Sequence, residues 1–123
     1  MPIDREFIES WLAAWTGGEA SVERLLSFYT PNARYDDPAV ADLRGTEALR
    51  GYFTKLLRRY PAWRWEALEI LPTESGCVLK WKATLDDRAT TGLDIVELRD
   101  GLIDRNEVYF DPSKLFSAKR KSD

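Results

Sequence analysis

The sequence predicts an α+β domain, because apolar residues recur at helical spacing through the first half and alternate through the second, with Pro, Gly and Asp turns between segments. Its 123 residues suffice for one core and not for two. Residues 1–116 are read as one domain and 117–123 as a polar, basic tail.

The first helix is expected from Asp4 to Trp15, with Phe7, Ile8, Trp11, Leu12 and Trp15 on one stripe. Asp4 suits the N-cap, Ile3 and Ile8 sit where a hydrophobic staple closes, and Gly17-Gly18 stops the helix. A second helix is expected to open at Ser21 and to carry Val22, Leu25, Leu26 and Tyr29 inward until Thr30-Pro31 ends it. The two form a helical hairpin. A short strand, Ala33 to Asp37, is cut by Pro38, and a loop runs to Gly45. The third helix spans Thr46 to Tyr60, buries Leu49, Phe53, Leu56, Leu57 and Tyr60, and stops at Pro61.

After Pro61 the period becomes two. Trp63 to Ala67 alternates, Pro72 to Gly76 turns, and Leu79, Trp81, Ala83 and Leu85 face away from Lys80 and Lys82, as in a sheet with one wet face. A polar loop, Asp86 to Thr90, leads to the strand Gly92–Leu98 that contains Asp94. Asp100-Gly101 is a strong hairpin signal, and the last strand, Leu102 to Asp111, is closed by Pro112. Three helices on one face of a bent sheet leave a conical interior whose mouth is a natural small-molecule pocket.

Composition narrows the function. A net charge of −3 lacks the basic surface that nucleic acid requires, and the one basic run, Lys119-Arg120-Lys121, is a solvated tail. The single Cys77 excludes an intrachain disulfide and reads as a buried small hydrophobe in a reducing compartment. With no signal-peptide core and no long apolar run, a soluble cytoplasmic protein without membrane contact is expected. No metal-spaced ligand set, glycine-rich phosphate loop or nucleophile elbow occurs, so no metal and no cofactor is expected.

There is no histidine. Proton chemistry near neutral pH must fall to a carboxyl group with a shifted pKa, to Tyr or to Cys77. Asp37 and Asp94 stand where apolar residues would be ordinary. Asp-Pro steps also simply cap turns, so a structural Asp37 is an equal alternative. Asp36 points the other way, to solvent. Asp94 lies on the parity of Val96 and Leu98, but Leu93 and Ile95 are apolar too, so alternation leaves its face open. Trp11, Trp15, Trp65 and Trp81 are chiefly core residues, with one or two lining the cavity. Tyr35 shares a strand face with Asp37 and is a second pocket donor. Phe53, Val108 and Phe110 add apolar lining, and Asn106 is a polar group among them.

The chain resembles the family that includes nuclear transport factor 2, ketosteroid isomerase, scytalone dehydratase and the SnoaL-type polyketide cyclases. The likeness rests on Leu26 through Pro38, on Leu43-Arg44-Gly45-Thr46-Glu47-Ala48, on Gly92-Leu93-Asp94 with Arg99-Asp100-Gly101-Leu102-Ile103, and on Val108-Tyr109-Phe110-Asp111. It spans roughly residues 5 to 112 and is nearest the SnoaL-like branch. The resemblance implies a cone of three N-terminal helices on a curved, mainly antiparallel sheet, a homodimer through that sheet, and a small apolar or aromatic ligand. It also implies that Asp37 is a general base and that Asp94 is a protonated donor to an oxyanion, as in ketosteroid isomerase. The oxyanion-hole Tyr of that enzyme does not carry over, since Trp11, or Leu12 after a one-residue slip, stands there; an indole N–H donates but does not ionise. The limonene epoxide hydrolase pattern needs an acid where Val108 stands, and scytalone dehydratase relies on histidines, so those chemistries are not expected. The alternative is a non-catalytic ligand-binding or dimerisation module whose cone is filled by tryptophans. The fold hosts many activities, so the site must decide.

Overall fold

The computed structural model describes residues 3–116. The tail at 117–123, with its Lys119-Arg120-Lys121 run, lies outside the described residues.

Helix α1 (Arg5–Ala14) starts where Asp4 accepts the Phe7 N–H at 2.8 Å, and both Ile3 and Ile8 are buried. A 3-10 turn (Gly18–Ser21) then leads into α2 (Val22–Leu26), which is shorter than its periodicity predicts. Tyr29 does not ride on the helix; it opens β1 (Tyr29–Asp37) opposite Ile103, and Ile103 N–H donates to Phe28 O at 2.8 Å. Sheet pairing has overridden local helical preference. Pro31 fits inside this longer strand because the register shifts between Tyr29 and Arg34, freeing it from the ladder.

The segment after Pro38 is a hairpin and not the expected loop. Strand β2 (Val40–Arg44) folds back on β1. The Asp37 carboxylate organises the turn by accepting the N–H groups of Ala39 and Val40 at 2.8 and 3.1 Å, and Asp36 accepts that of Asp42, a residue with φ 59°. Helix α3 (Thr46–Arg59) buries Leu49, Phe53 and Leu57.

Four strands follow: β3 (Arg64–Pro72), β4 (Gly76–Leu85), β5 (Arg88–Arg99) and β6 (Leu102–Tyr109). The expected loop at Asp86 to Thr90 contracts to a tight turn, with Asp86 at φ 55° and the strand resuming at Arg88. Asp100 and Gly101 both take positive φ, as a two-residue hairpin turn of this twist requires. Beyond Tyr109 the chain does not continue as a strand to Asp111. Asp111 caps a short helix, α4 (Pro112–Leu115), and Pro112, read from sequence as a terminator, occupies its first turn.

The six strands form one curved, open sheet in the order β2-β1-β6-β5-β4-β3, in which only β1 and β6 are parallel. The helices cover its concave face, and Trp11, Phe53 and Trp81 lie wholly inside the core. Alternation in β4 holds as read: Leu79, Trp81 and Ala83 are buried while Lys80 and Lys82 are exposed. No helix among the described residues is long and apolar enough to cross a membrane.

Candidate functional site

Between the helices and the concave face lies an apolar cavity of about 210 Å³. Its wall takes Trp15 from the end of α1, Tyr35 and Asp37 from β1, Tyr52, Leu56 and Tyr60 from α3, Trp63 and Trp65 before and within β3, and Trp81, Asp94 and Val108 from β4, β5 and β6. Phe110, Pro112 and Phe116 close one side. An apolar cavity of about 150 Å³ already admits benzene, so this one has room for a compound of one or two rings.

Asp94 sits deep. It is 5% exposed, which settles the face that alternation left open: Asp94 and Val96 point inward and Leu93 outward. Its two oxygens each accept one hydrogen bond, Oδ1 from Trp81 Nε1 at 2.6 Å and Oδ2 from Asn106 Nδ2 at 2.8 Å. Burial pushes its pKa up to about 7; the two donors oppose the rise, and the charge of Asp37 adds to it. Trp81 reaches Asp94 because its cross-strand partner is Gly92, where a Cβ would stand 2.6 Å from the indole ring.

Behind Asp94 runs a buried chain of donors. Trp11 Nε1 donates to Tyr29 Oη at 3.2 Å, and Tyr29 Oη donates to Asn106 Oδ1 at 2.8 Å. This orients the Asn106 amide so that its Nδ2 must face Asp94. Burial raises the Tyr29 pKa well above its usual value, so the phenol stays protonated.

Asp37 sits at the mouth in the opposite condition. Besides the two backbone donors at Oδ1, its Oδ2 accepts Tyr35 Oη at 2.9 Å and Tyr52 Oη at 2.7 Å. Four donors fill the four lone-pair directions of a carboxylate. Burial, followed by the charge of Asp37, raises Tyr35 well above its usual range; burial and the Asp37 bond raise Tyr52.

Of the residues expected at the site, Asp37, Asp94, Trp15, Tyr35, Trp65, Trp81, Val108 and Phe110 share this cavity. Trp11, Phe53 and Asn106 do not line it. All three are fully buried: Trp11 and Asn106 support Asp94 from behind, and Phe53 packs edge-to-face on Tyr35 and Trp15, with centroids 5.2 and 4.9 Å apart. Asp36 faces the other side of the sheet and binds Arg34.

Tyr52 was not foreseen, although its place beside Phe53 on the edge of the apolar stripe marks it as a boundary residue. Trp63 was read only as core; its Nε1 donates to Trp15 O at 2.5 Å, joining β3 to the end of α1. Tyr60 packs near-parallel against both Phe116 and Trp63, with centroids 4.4 and 5.2 Å away, and Arg59 lies 5.5 Å from its centroid. Trp65 Nε1 is buried with no acceptor and is flanked by the rings of Trp63 and Trp81. The structure gathers no group of three or more metal-ligating side chains among the described residues.

A family model described as SnoaL-like domain matches residues 8–106. No curated protein matches the chain in sequence. Among solved structures, a protein from Catenulispora acidiphila with a ketosteroid isomerase-like fold, in complex with trimethylamine, superposes with a TM-score of 0.75 at 16% identity, over 92% of this chain and 91% of that one. SalBIII, an epoxide hydrolase/cyclase-like enzyme of pyran ring formation in the polyether salinomycin, superposes at 0.73 and 16% identity, over 89% and 92%. A computationally designed 17-OHP binder superposes at 0.70 and 13% identity, over 89% and 91%. At these identities the likeness is one of fold.

Proposed function

We propose that this chain, which belongs to the SnoaL-like domain family, binds a small, largely apolar carbonyl compound and moves a proton on it by carboxyl chemistry, in an isomerisation or a ring closure of the polyketide-cyclase kind. The observation that carries the reading is the convergence of Asp37 and Asp94, from strands far apart in sequence, on the wall of one ring-lined cavity. Their surroundings favour different protonation states, which an acid–base pair needs.

Protonated Asp94 already accepts from Trp81 and Asn106, so its own O–H is the donor left for a ligand oxygen. As an enolate forms, that bond strengthens, and its low-dielectric setting makes it worth more than it would be in water. Asp37 takes the proton from the neighbouring carbon and returns it to the product. To do so it must release one donor, and the half-buried Tyr52 at the mouth is the one free to turn. SalBIII, a cyclase-like neighbour, makes ring closure a natural member of this reaction class. The open cavity favours this reading over a filled, non-catalytic module. A homodimer is proposed separately, through the outer sheet face where the cross-strand partners Leu93 and Tyr109 are exposed; sedimentation of wild type and Leu93→Arg tests it.

Thermal-shift screening with aromatic ketones and lactones tests occupancy, since a ligand of the native state raises the melting temperature. For a hit, exchange of its α-protons with D2O, followed by NMR, tests the chemistry. Asp37→Asn and Asp94→Asn are expected to slow exchange by about 100-fold or more. Exchange in both variants at the wild-type rate overturns the acid–base reading; no stabilising ketone or lactone overturns the ligand class.

A further inference from the structure

Among the described residues, the cavity wall carries acids and no base. Asp37 and Asp94 are the only acidic residues of that lining, and the rest is aromatic, aliphatic or proline. The ion pairs of the described residues all lie elsewhere, and none reaches either aspartate. Arg59, the cation set against a lining ring, is exposed over Tyr60 and bonds to neither carboxyl.

Asp37 has no cationic partner among the described residues: its four partners are neutral N–H and O–H groups, which bond to the carboxylate without cancelling its charge. The two phenols that bind it stand with ring centroids 5.8 Å apart, and Trp15 lies 6.3 Å from Tyr35. Ring faces carry negative potential, and a carboxylate behind the hydroxyls reinforces it. A group that needs Asp37's charge but none of its lone pairs is a substituted ammonium.

We propose that the ligand is a small amino ketone, with an alkylated or protonated ammonium seated by Asp37 among the rings of Tyr35, Tyr52 and Trp15, and its carbonyl turned to Asp94. This rests on the carbonyl-binding reading and names its substrate class. It also gives the base its target: the carbon between carbonyl and ammonium is the acidic one, and with the cation seated it stands on the Asp37 side, where the turn of Tyr52 frees Oδ2 to take its proton.

A matched pair of probes tests it: phenacyl trimethylammonium and its carbon isostere, neopentyl phenyl ketone, which differ only by nitrogen for carbon and hence by one charge. Titration calorimetry on the wild type is expected to show the cation bound about tenfold more tightly, a desolvated cation–ring contact plus one charge pair, with the preference shrinking as salt rises. Asp37→Asn keeps the shape and removes the charge, and is expected to erase the preference, so that the two probes bind within about twofold of each other. Equal binding of the pair by the wild type, or tighter binding of the neutral ketone, overturns the cation and leaves the carbonyl reading standing. Binding of neither overturns both. A preference that survives Asp37→Asn overturns the assigned seat, and if that variant does not fold, the wild-type comparison and its salt dependence still decide.

Discussion

The mouth and the floor of the cavity each hold one aspartate, and the two are solvated in opposite ways. At the mouth, Asp37 takes four donors, two of them backbone N–H groups fixed by a hairpin turn; at the floor, Asp94 takes two, both from side chains, and is almost wholly shut off from solvent. Four donors replace a carboxylate's hydration, whereas two in an apolar setting do not. One residue type thereby supplies a carboxyl bonded all round by neutral donors and another that titrates near neutrality, which is what a chain without histidine needs.

The largest effect is expected from dismantling the floor. Trp81→Ala removes a fully buried ring and one of Asp94's two donors, at a cost of about 3–5 kcal/mol on the cavity scale. Urea denaturation measures it, and a loss under about 1 kcal/mol would mean that the floor collapses freely and carries little of the fold.

Asp94→Asn sharpens the contrast by removing the titration, together with one of the two acceptors that serve Trp81 and Asn106. Asp94 binds its proton more tightly in the fold than in the unfolded chain, where the value is near 3.8 and not near 7. Stability therefore falls as pH rises across that window and levels off above it, by on the order of 4 kcal/mol. The carboxylates held low, such as Asp36 and Glu107, act in the opposite sense and lose their contribution only in acid. Denaturation midpoints of wild type and Asp94→Asn between pH 4 and pH 8 are expected to diverge, the variant lacking the decline; parallel curves would place Asp94's native pKa near its unfolded one.

Gly92→Ala reaches the same floor from the neighbouring strand. A methyl at Gly92 meets the Trp81 ring and the Tyr109 carbonyl within 2.7 Å, so about 1–3 kcal/mol of overpacking is expected, with an altered Trp81 fluorescence spectrum as its local signature.

The smallest change is expected at the mouth, where Tyr35 and Tyr52 differ. Tyr35→Phe removes a bond to a charged acceptor from a buried phenol, for about 1.5–3 kcal/mol; Tyr52→Phe, half-buried and replaceable by water, should cost under about 1 kcal/mol. Thermal melts rank the two, and the reverse order would show that Tyr52 is the tighter clasp.

The helices, the meander of four strands and the Asp37–Asp94 pair were legible because they rest on periodicity, on Gly and Pro punctuation and on aspartates set among apolar residues. Three things were not. The side of the sheet taken by Asp94 was undecidable because the outer face also carries apolar residues, Leu93 among them, 43% exposed. The β2 hairpin was invisible since its turn is specified by the Asp37 and Asp36 side chains and not by an Asn-Gly or Asp-Gly pair. The support of Asp94 by Tyr29 and Asn106 joins residues on β1 and β6 whose adjacency only the parallel pairing creates. Trp11, assigned to the ligand by resemblance, spends its N–H on Tyr29, a partner that helical spacing had placed on the wrong element.

That parallel pairing also governs when the molecule becomes competent during its synthesis. Asp37 leaves the ribosome early, but the strand that lies beside it, and that brings Asn106 to Asp94, is the last of the sheet to be made. A nascent chain stalled before Leu102 holds both acids and most of the rings, yet it lacks the strand that joins them, and that strand's pairing with β1 closes a long loop. Competence therefore arrives all at once, with the final strand, and a product truncated there would be inert, without a graded remnant of binding.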